Sequence, residues 1–272
     1  MKAGIYISWL VLVLYSMTGR AQNVFYPDED LHFSNRVTHL PAQWSLSYNP
    51  ANLAGIDKAF FGIYCRNLYR IEGLNAAAFG CAVPFGQDVF EFSAYSVGFH
   101  EMHENRFGLS YAKKLTSWLQ AGIGLHLDRL NQPAGYNDLY AVVPSAGVRF
   151  YPVKNMVTAF SVYNPANQTY RPVGYAILPS HYSFSSGYQL GDEFFIGLLA
   201  GKTAGQPLHY SAITEIVPAK NLYCAIQIHF NRIPAYTVEG GYISGRLAAV
   251  FGFSYQPVGG WSPSLNLMYS VR

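Results

Sequence analysis

Alternation with a period of two, in a chain with no apolar run long enough to cross a bilayer as a helix, is the feature that most constrains this sequence. Residues 118–129 show it plainly. Leu119, Ala121, Ile123, Leu125 and Leu127 fall on one face, and Gln120, Gly122, Gly124, His126 and Asp128 on the other. Residues 221–231 repeat the pattern, with Leu222, Cys224, Ile226, Ile228 and Phe230 against Tyr223, Ala225, Gln227, His229 and Asn231. The last run sets Leu265, Leu267, Tyr269 and Val271 opposite Asn266, Met268, Ser270 and Arg272. Successive side chains of a strand point to opposite faces, so each run reads as a strand with one apolar face. Fourteen such runs follow residue 57: 58–69, 75–85, 88–99, 106–115, 118–129, 140–151, 156–163, 180–190, 193–202, 208–217, 221–231, 235–243, 246–256 and 263–272. Their spacing suits strands of roughly 9–11 residues joined by tight turns. Turn chemistry separates them, as at Glu72-Gly73, Gly86-Gln87, Lys154-Asn155 and Gly191-Asp192. Two connections are longer, 131–138 and 164–178.

A soluble sandwich would carry the same alternation with the apolar face turned inward. Composition favours the opposite sense. Only 12% of the residues are charged, against roughly 25% in ordinary soluble proteins. The polar faces carry Gly, Ala, Ser and Gln rather than the Lys and Glu that solubilise a water-facing sheet. Large aromatics lie near the ends of the apolar faces: Phe61, Phe85, Phe90, Tyr111, Trp118, Phe150, Tyr182, Tyr255 and Trp261. Aromatics in those places match the girdles at the two interfaces of a bilayer. The expected fold is therefore all-β: a transmembrane antiparallel β-barrel of about 14 strands over residues 57–272, its apolar faces toward lipid. A net charge of +3 with no basic run excludes a nucleic-acid partner, and the apolar content excludes disorder.

The N-terminus points to export. Lys2 precedes the apolar residues 5–15 (IYISWLVLVLY), a stretch shorter than the about 20 residues a membrane-spanning helix needs. Gly19-Arg20-Ala21 then supplies small residues where a signal peptidase reads. Residues 1–21 read as a signal peptide, with Gln22 as the mature N-terminus; a retained interfacial anchor is the alternative. The destination is the outer membrane of a Gram-negative bacterium. Residues 22–56 lack the alternation. They carry the acidic cluster Asp28-Glu29-Asp30 and end in Tyr48-Asn49-Pro50-Ala51-Asn52-Leu53-Ala54-Gly55. Asn-Pro starts a turn and Ala-Asn-Leu-Ala can make one helical turn, so this reads as a compact plug-like segment ahead of the strands.

The polar faces place Arg66, Glu91, Lys114, His126, Asp128, Arg149, Glu215, His229, Glu239 and Arg272 inside the barrel. They read as paired lumen charges, or as partners for the N-terminal segment, ahead of a substrate path. Small inward residues such as Ala76, Ala78, Gly80 and Ala82 leave room for such a plug.

Catalytic and metal signals are weak. In His181-Tyr182-Ser183 and His209-Tyr210-Ser211 the register turns His and Ser inward and Tyr toward lipid, the reverse of what a lipid hydrolase requires. His100-Glu101-Met102-His103-Glu104 falls on an expected turn, where nothing holds the imidazoles on one face. The chain reads as a non-enzyme with no cofactor and no metal. Cys65, Cys81 and Cys224 make an odd count. A hairpin centred on Gly73 would align Cys65 with Cys81, read as two lipid-facing thiols rather than a disulfide, a bond disfavoured across strands.

The segment Asn49-Pro50-Ala51-Asn52-Leu53-Ala54 resembles the N-P-A-x-L-A motif of the FadL-like outer-membrane barrels, and especially their PorV and PorQ relatives in the type IX secretion system of Bacteroidota. That resemblance implies a 14-stranded barrel with its N-terminal segment in the lumen, and makes Asn49, Pro50, Ala51, Leu53 and Ala54 the plug motif. Tyr163-Asn164-Pro165-Ala166-Asn167 echoes it midway along the barrel. The chain is shorter than those families, without the long loops of the fatty-acid transporters. The first expectation is thus a non-catalytic accessory or docking component of a secretion or surface-assembly system, set in outer-membrane lipid and touching a large translocon or exported proteins. Loop 164–178 would be its contact surface, through Tyr170, Arg171, Pro172 and Tyr175, since Tyr and Arg dominate interface energies. The alternative is a FadL-like channel for hydrophobic or small solutes, with a path past the N-terminal segment to a lateral gap.

Overall fold

The computed structural model describes residues 49–171, 178–230 and 233–271; the signal-peptide stretch and most of the plug-like segment lie outside them. Fourteen strands follow one another: β1 Phe60–Asn67, β2 Asn75–Phe85, β3 Asp88–Phe99, β4 Met102–Lys114, β5 Leu119–Asn131, β6 Leu139–Phe150 and β7 Met156–Tyr163. The second half is β8 His181–Leu190, β9 Phe194–Thr203, β10 Leu208–Ala219, β11 Leu222–Phe230, β12 Ala235–Ile243, β13 Leu247–Gln256 and β14 Gly260–Ser270. Each strand pairs antiparallel with its sequence neighbours, and β1 pairs with β14, from Phe60↔Ser270 to Arg66↔Ser264, closing the barrel. Closure leaves no long edge, which a sheet in hydrocarbon requires.

The apolar faces point outward. Ile123, Leu125 and Leu127 are exposed and Gln120, His126 and Asp128 buried; on β11, Leu222, Ile226 and Phe230 are outside and Tyr223, Gln227 and His229 inside. The exposed surface is a belt of Phe, Leu, Ile and Val, the surface acyl tails cover. Aromatics rim it at both ends. Near the chain termini Phe85, Phe90 and Tyr111 stack edge to edge, and Phe61 meets Tyr269. At the opposite end, called here the loop end, Tyr255 meets Trp261 with ring centres 4.9 Å apart.

Three sequence expectations change. The first hairpin turns about Ile71 rather than Gly73, because Leu68 and Leu74 close the loop and Tyr69, Arg70 and Gly73 all take positive φ. Cys65 therefore faces Ala77 and Cys81 faces Phe61. The shift is an even number of residues, so both thiols still face outward, and all three cysteines are free. Strand β4 starts at Met102, so only His100 and Glu101 make the turn; His103 and Glu104 belong to the strand, and Glu104 is buried inside. Lys114, placed inside by alternation, is exposed at the barrel mouth, and Arg272 lies outside the described residues.

Leu125 stands at mid-strand and half exposed on the lipid side. Leu125→Arg is expected to destabilise the barrel by about 2–4 kcal/mol, read by reversible unfolding from vesicles. Leu125→Ile should be near neutral.

Candidate functional site

Inward side chains of β3 to β7 form tiers, because antiparallel register places their rungs side by side. One rung in from Gln120, Arg149 and Ala159, which lie nearest the terminal end, a tier runs Val89, Ala112, Gly122, Gly147, Ser161. Its two glycines are direct cross-strand partners, and they leave a shelf of bare backbone. On that shelf sits the 3-10 helix Pro50–Gly55, packed against β3 to β6. A Cβ on Gly122 would stand 2.5 Å from the Pro50 carbonyl carbon, and one on Gly147 would collide with the Asn49 side-chain oxygen. Asn49 starts the helix, its Oδ1 accepting from the Ala51 N–H at 3.1 Å. Leu53 and Ala54 bury against Phe60, Ala82, Val89 and Ala112. The described part of the plug motif thus closes one side of the lumen at the terminal end.

Moving toward the loop end, the next tiers are Glu91, Ser110, Gly124, Ser145, Tyr163, and then Ser93, Gly108, His126, Val143. His126 lies over Gly108 and Gly124 and bonds Ser145 Oγ through Nε2 at 2.9 Å. Above it Arg106 and Asp128 face each other across β4 and β5. Arg106 Nε donates to Asp128 Oδ1 at 2.8 Å, its Nη2 donates to Asp128 Oδ2 at 3.2 Å and reaches Glu104 at 3.4 Å. Tyr163 Oη donates to the same carboxylate at 2.6 Å, and its ring lies 4.5 Å beneath the guanidinium. A buried charge survives only when paired and hydrogen-bonded, and here the two-pronged contact satisfies both.

The inward face of β6 is apolar on the same three rungs: Leu139, Ala141 and Val143, level with Glu104, Asp128 and His126, cluster with Tyr163, Tyr170 and Leu178. Beside it the wall has a step. The β6–β7 ladder stops at Ser145↔Tyr163, yet β6 continues to Leu139. Those six further residues rise about 20 Å along the strand with no β7 beside them. The described start of the 164–178 connection reaches this edge. Arg171 exchanges two backbone hydrogen bonds with Tyr140, at 2.8 and 3.0 Å, which continues the ladder. Asn164 pins both ends of the connection. It sits at φ 54 and donates from Nδ2 to the Leu178 and Gln168 carbonyls, while its Oδ1 accepts from the Gln168 N–H and its backbone oxygen accepts from Ser180 Oγ.

This corrects the placing of Tyr170 on a contact surface. Tyr170 is 3% exposed and points into the lumen, because a residue between two wall positions alternates inward. Arg171 is exposed but spends its backbone on the wall, and Pro172 and Tyr175 lie outside the described residues. Of the other expected lumen residues, Arg66, Glu91, His126, Asp128, Arg149, Glu215 and His229 are buried inside, and Glu239 is half-buried. Only His126 and Asp128 are brought into the β4–β7 cluster. Sequence reasoning missed Glu104 and Arg106, although their spacing of two was the available signal. In the two His-x-Ser triplets His181 bonds Thr203 and Ser211 bonds His229.

No protein-family model and no curated protein matches the sequence. Solved structures do match the fold. The chain resembles the toluene transporter TodX of Pseudomonas putida (TM-score 0.60, 9% identity, 82% of this chain and 91% of that one). It also resembles the CymD monoaromatic hydrocarbon channel (0.57, 10%, 82% and 91%) and a FadL homologue of Pseudomonas aeruginosa (0.57, 10%, 82% and 93%). The fold is a closed antiparallel fourteen-stranded barrel with the architecture of the FadL-type outer-membrane barrels.

Gly147→Val is expected to unseat Asn49. Single-channel conductance should rise above wild type while the barrel keeps its heat-modifiable gel mobility. Asp128→Ala leaves Arg106 buried without its main partner and should cost about 3–5 kcal/mol in urea unfolding. Replacing Arg106 and Asp128 together by leucine should recover most of that loss.

Proposed function

We propose that this chain is an outer-membrane channel for small, predominantly apolar solutes, exported by its N-terminal signal peptide and plugged by residues 22–56. One observation carries the reading: an apolar patch on the inward face of β6 adjoins a step in the barrel wall where β7 stops short. The terminal end is obstructed by the Asn49–Ala54 motif on its glycine shelf, so a solute taken up at the loop end has its shortest way out beside β6. The solute class follows the barrels it resembles, a toluene transporter and a monoaromatic hydrocarbon channel, and suits a patch made of Leu139, Ala141, Val143 and Leu178. The Arg106–Asp128 pair lies level with Ala141, so the apolar surface offered to cargo is on the β6 side. The accessory role in secretion loses Tyr170 from its expected contact loop.

Cysteines at Tyr140 and Arg171 test the route. Their backbones form a hydrogen-bonded antiparallel pair, with a Cα separation of about 5.5 Å that a disulfide can span. The native cysteines are first changed to serine. In cells whose outer leaflet is lipopolysaccharide, oxidation of the pair should abolish uptake of a labelled monoaromatic hydrocarbon, and reduction should restore it. Full uptake through the locked protein would reject the wall step as the route. Wild-type uptake no higher than in cells lacking the protein would reject the solute class.

A further inference from the structure

On the opposite side of the barrel, outside the lumen, the closing seam carries a second concave feature. Looking down the lipid face of β1 and β2 from the loop end, the outward rungs are Asn67 with Asn75, then Cys65 with Ala77, then Ile63 with Phe79. The middle rung is small. Its neighbours across the seam are Leu265 and Pro263 of β14 and Phe251 of β13, and together they wall a groove of about 490 Å³. The β1–β14 ladder ends at Arg66↔Ser264, whereas β13–β14 pairing runs on to Gln256↔Gly260. Pro263 lies one step past the end of the seam and has no N–H to extend it. Tyr69 roofs the opening, donating its backbone N–H to Ser262 Oγ and its hydroxyl to Gln256, each at 2.8 Å.

We propose that this groove binds one acyl chain of a membrane lipid, with the ester region of the lipid at Asn75. Three observations converge on that occupant. The walls are apolar and lie inside the lipid-facing belt, so water there has no partners. The upper end lies at the level of the Tyr255–Trp261 pair, the aromatic girdle that marks the interface where glycerol esters sit. Asn67 and Asn75 stand at that end on the outer face. The Asn67 amide is fully used, donating to Ile71, Leu74 and Asn75 Oδ1. The Asn75 amide nitrogen has no partner among the described residues and is exposed, leaving a donor for an ester carbonyl. A narrow trench with a polar donor at the interface and small side chains in its floor fits a linear chain with a polar end. A second barrel, being convex, cannot reach its floor.

The test uses the full chain folded into vesicles of phosphatidylethanolamine and phosphatidylglycerol, then extracted in mild detergent and weighed by native mass spectrometry. Each variant is first shown to keep the gel mobility of a closed barrel. Wild type should retain one diacyl phospholipid per barrel. Ala77→Phe fills the groove and should lose it. Asn75→Leu should lower retention several-fold, and Cys224→Phe, an outward substitution on β11, should leave it unchanged. Failure of folded wild type to retain a lipid, equal retention by Ala77→Phe, or a retained mass equal to a free fatty acid would each overturn the proposal. None of these outcomes depends on whether the lumen conducts.

Discussion

The structure depends on one constraint: in hydrocarbon every backbone N–H and C=O must find a partner within the protein. Strands meet it only by pairing on both sides, and pairing on both sides all the way round means closure. The β1–β14 seam is what turns fourteen locally ordinary strands into a membrane protein. The same constraint explains two of the places where the described wall is irregular. At the β6 edge the backbone would be unpaired, and the 164–178 connection supplies Arg171 to Tyr140. At the top of the seam Pro263 and Tyr69 replace backbone pairing with a residue that needs none and with side-chain bonds.

Filling the lumen is the second problem, and it is solved in layers. Glycine on two adjacent strands makes a shelf for Asn49 and Pro50. Hydroxyls and His126 fill the middle. A paired guanidinium and carboxylate follow on β4 and β5, with Glu104 beyond them, and aliphatic side chains line β6 at the same levels. The arrangement sets charge and apolar surface side by side toward the loop end. An apolar solute entering there meets the β6 face and the wall step on one side and the charge cluster on the other. The two Asn-Pro motifs do related work at opposite ends. Asn49 starts a short helix against the terminal shelf, and Asn164 ties down the segment that completes the wall.

Much of this was legible in the residues. All fourteen strands, the outward turn of the leucines and phenylalanines, and the burial of Arg66, Glu91, His126, Asp128, Arg149, Glu215 and His229 follow from alternation. The misreadings share a cause. Gly73 looked like the apex of the first hairpin, but Tyr69 and Arg70 adopt the left-handed region and move the apex by two residues. Tyr170 looked like a surface contact because its loop was long and polar at one end, yet the missing top of β7 draws that loop into the wall. Glu104 was overlooked because the strand holding it was started four residues late, which also left Arg106 at the very first position of its run.

What the sequence determined alone is sidedness: which residues face lipid and which face the lumen. Sidedness is local, because a strand's geometry turns each residue to the face opposite its neighbour, and a register error of an even number of residues leaves it intact. What only the tertiary structure decided is adjacency. That Gly122 meets Gly147 beneath Pro50, that Arg106 meets Asp128 beside Tyr163, and that Ala77 faces Cys65 beside a seam residue two hundred positions away are matters of turn length, register and closure. Those depend on how every strand is offset against the next around a complete ring, which no single stretch of residues contains.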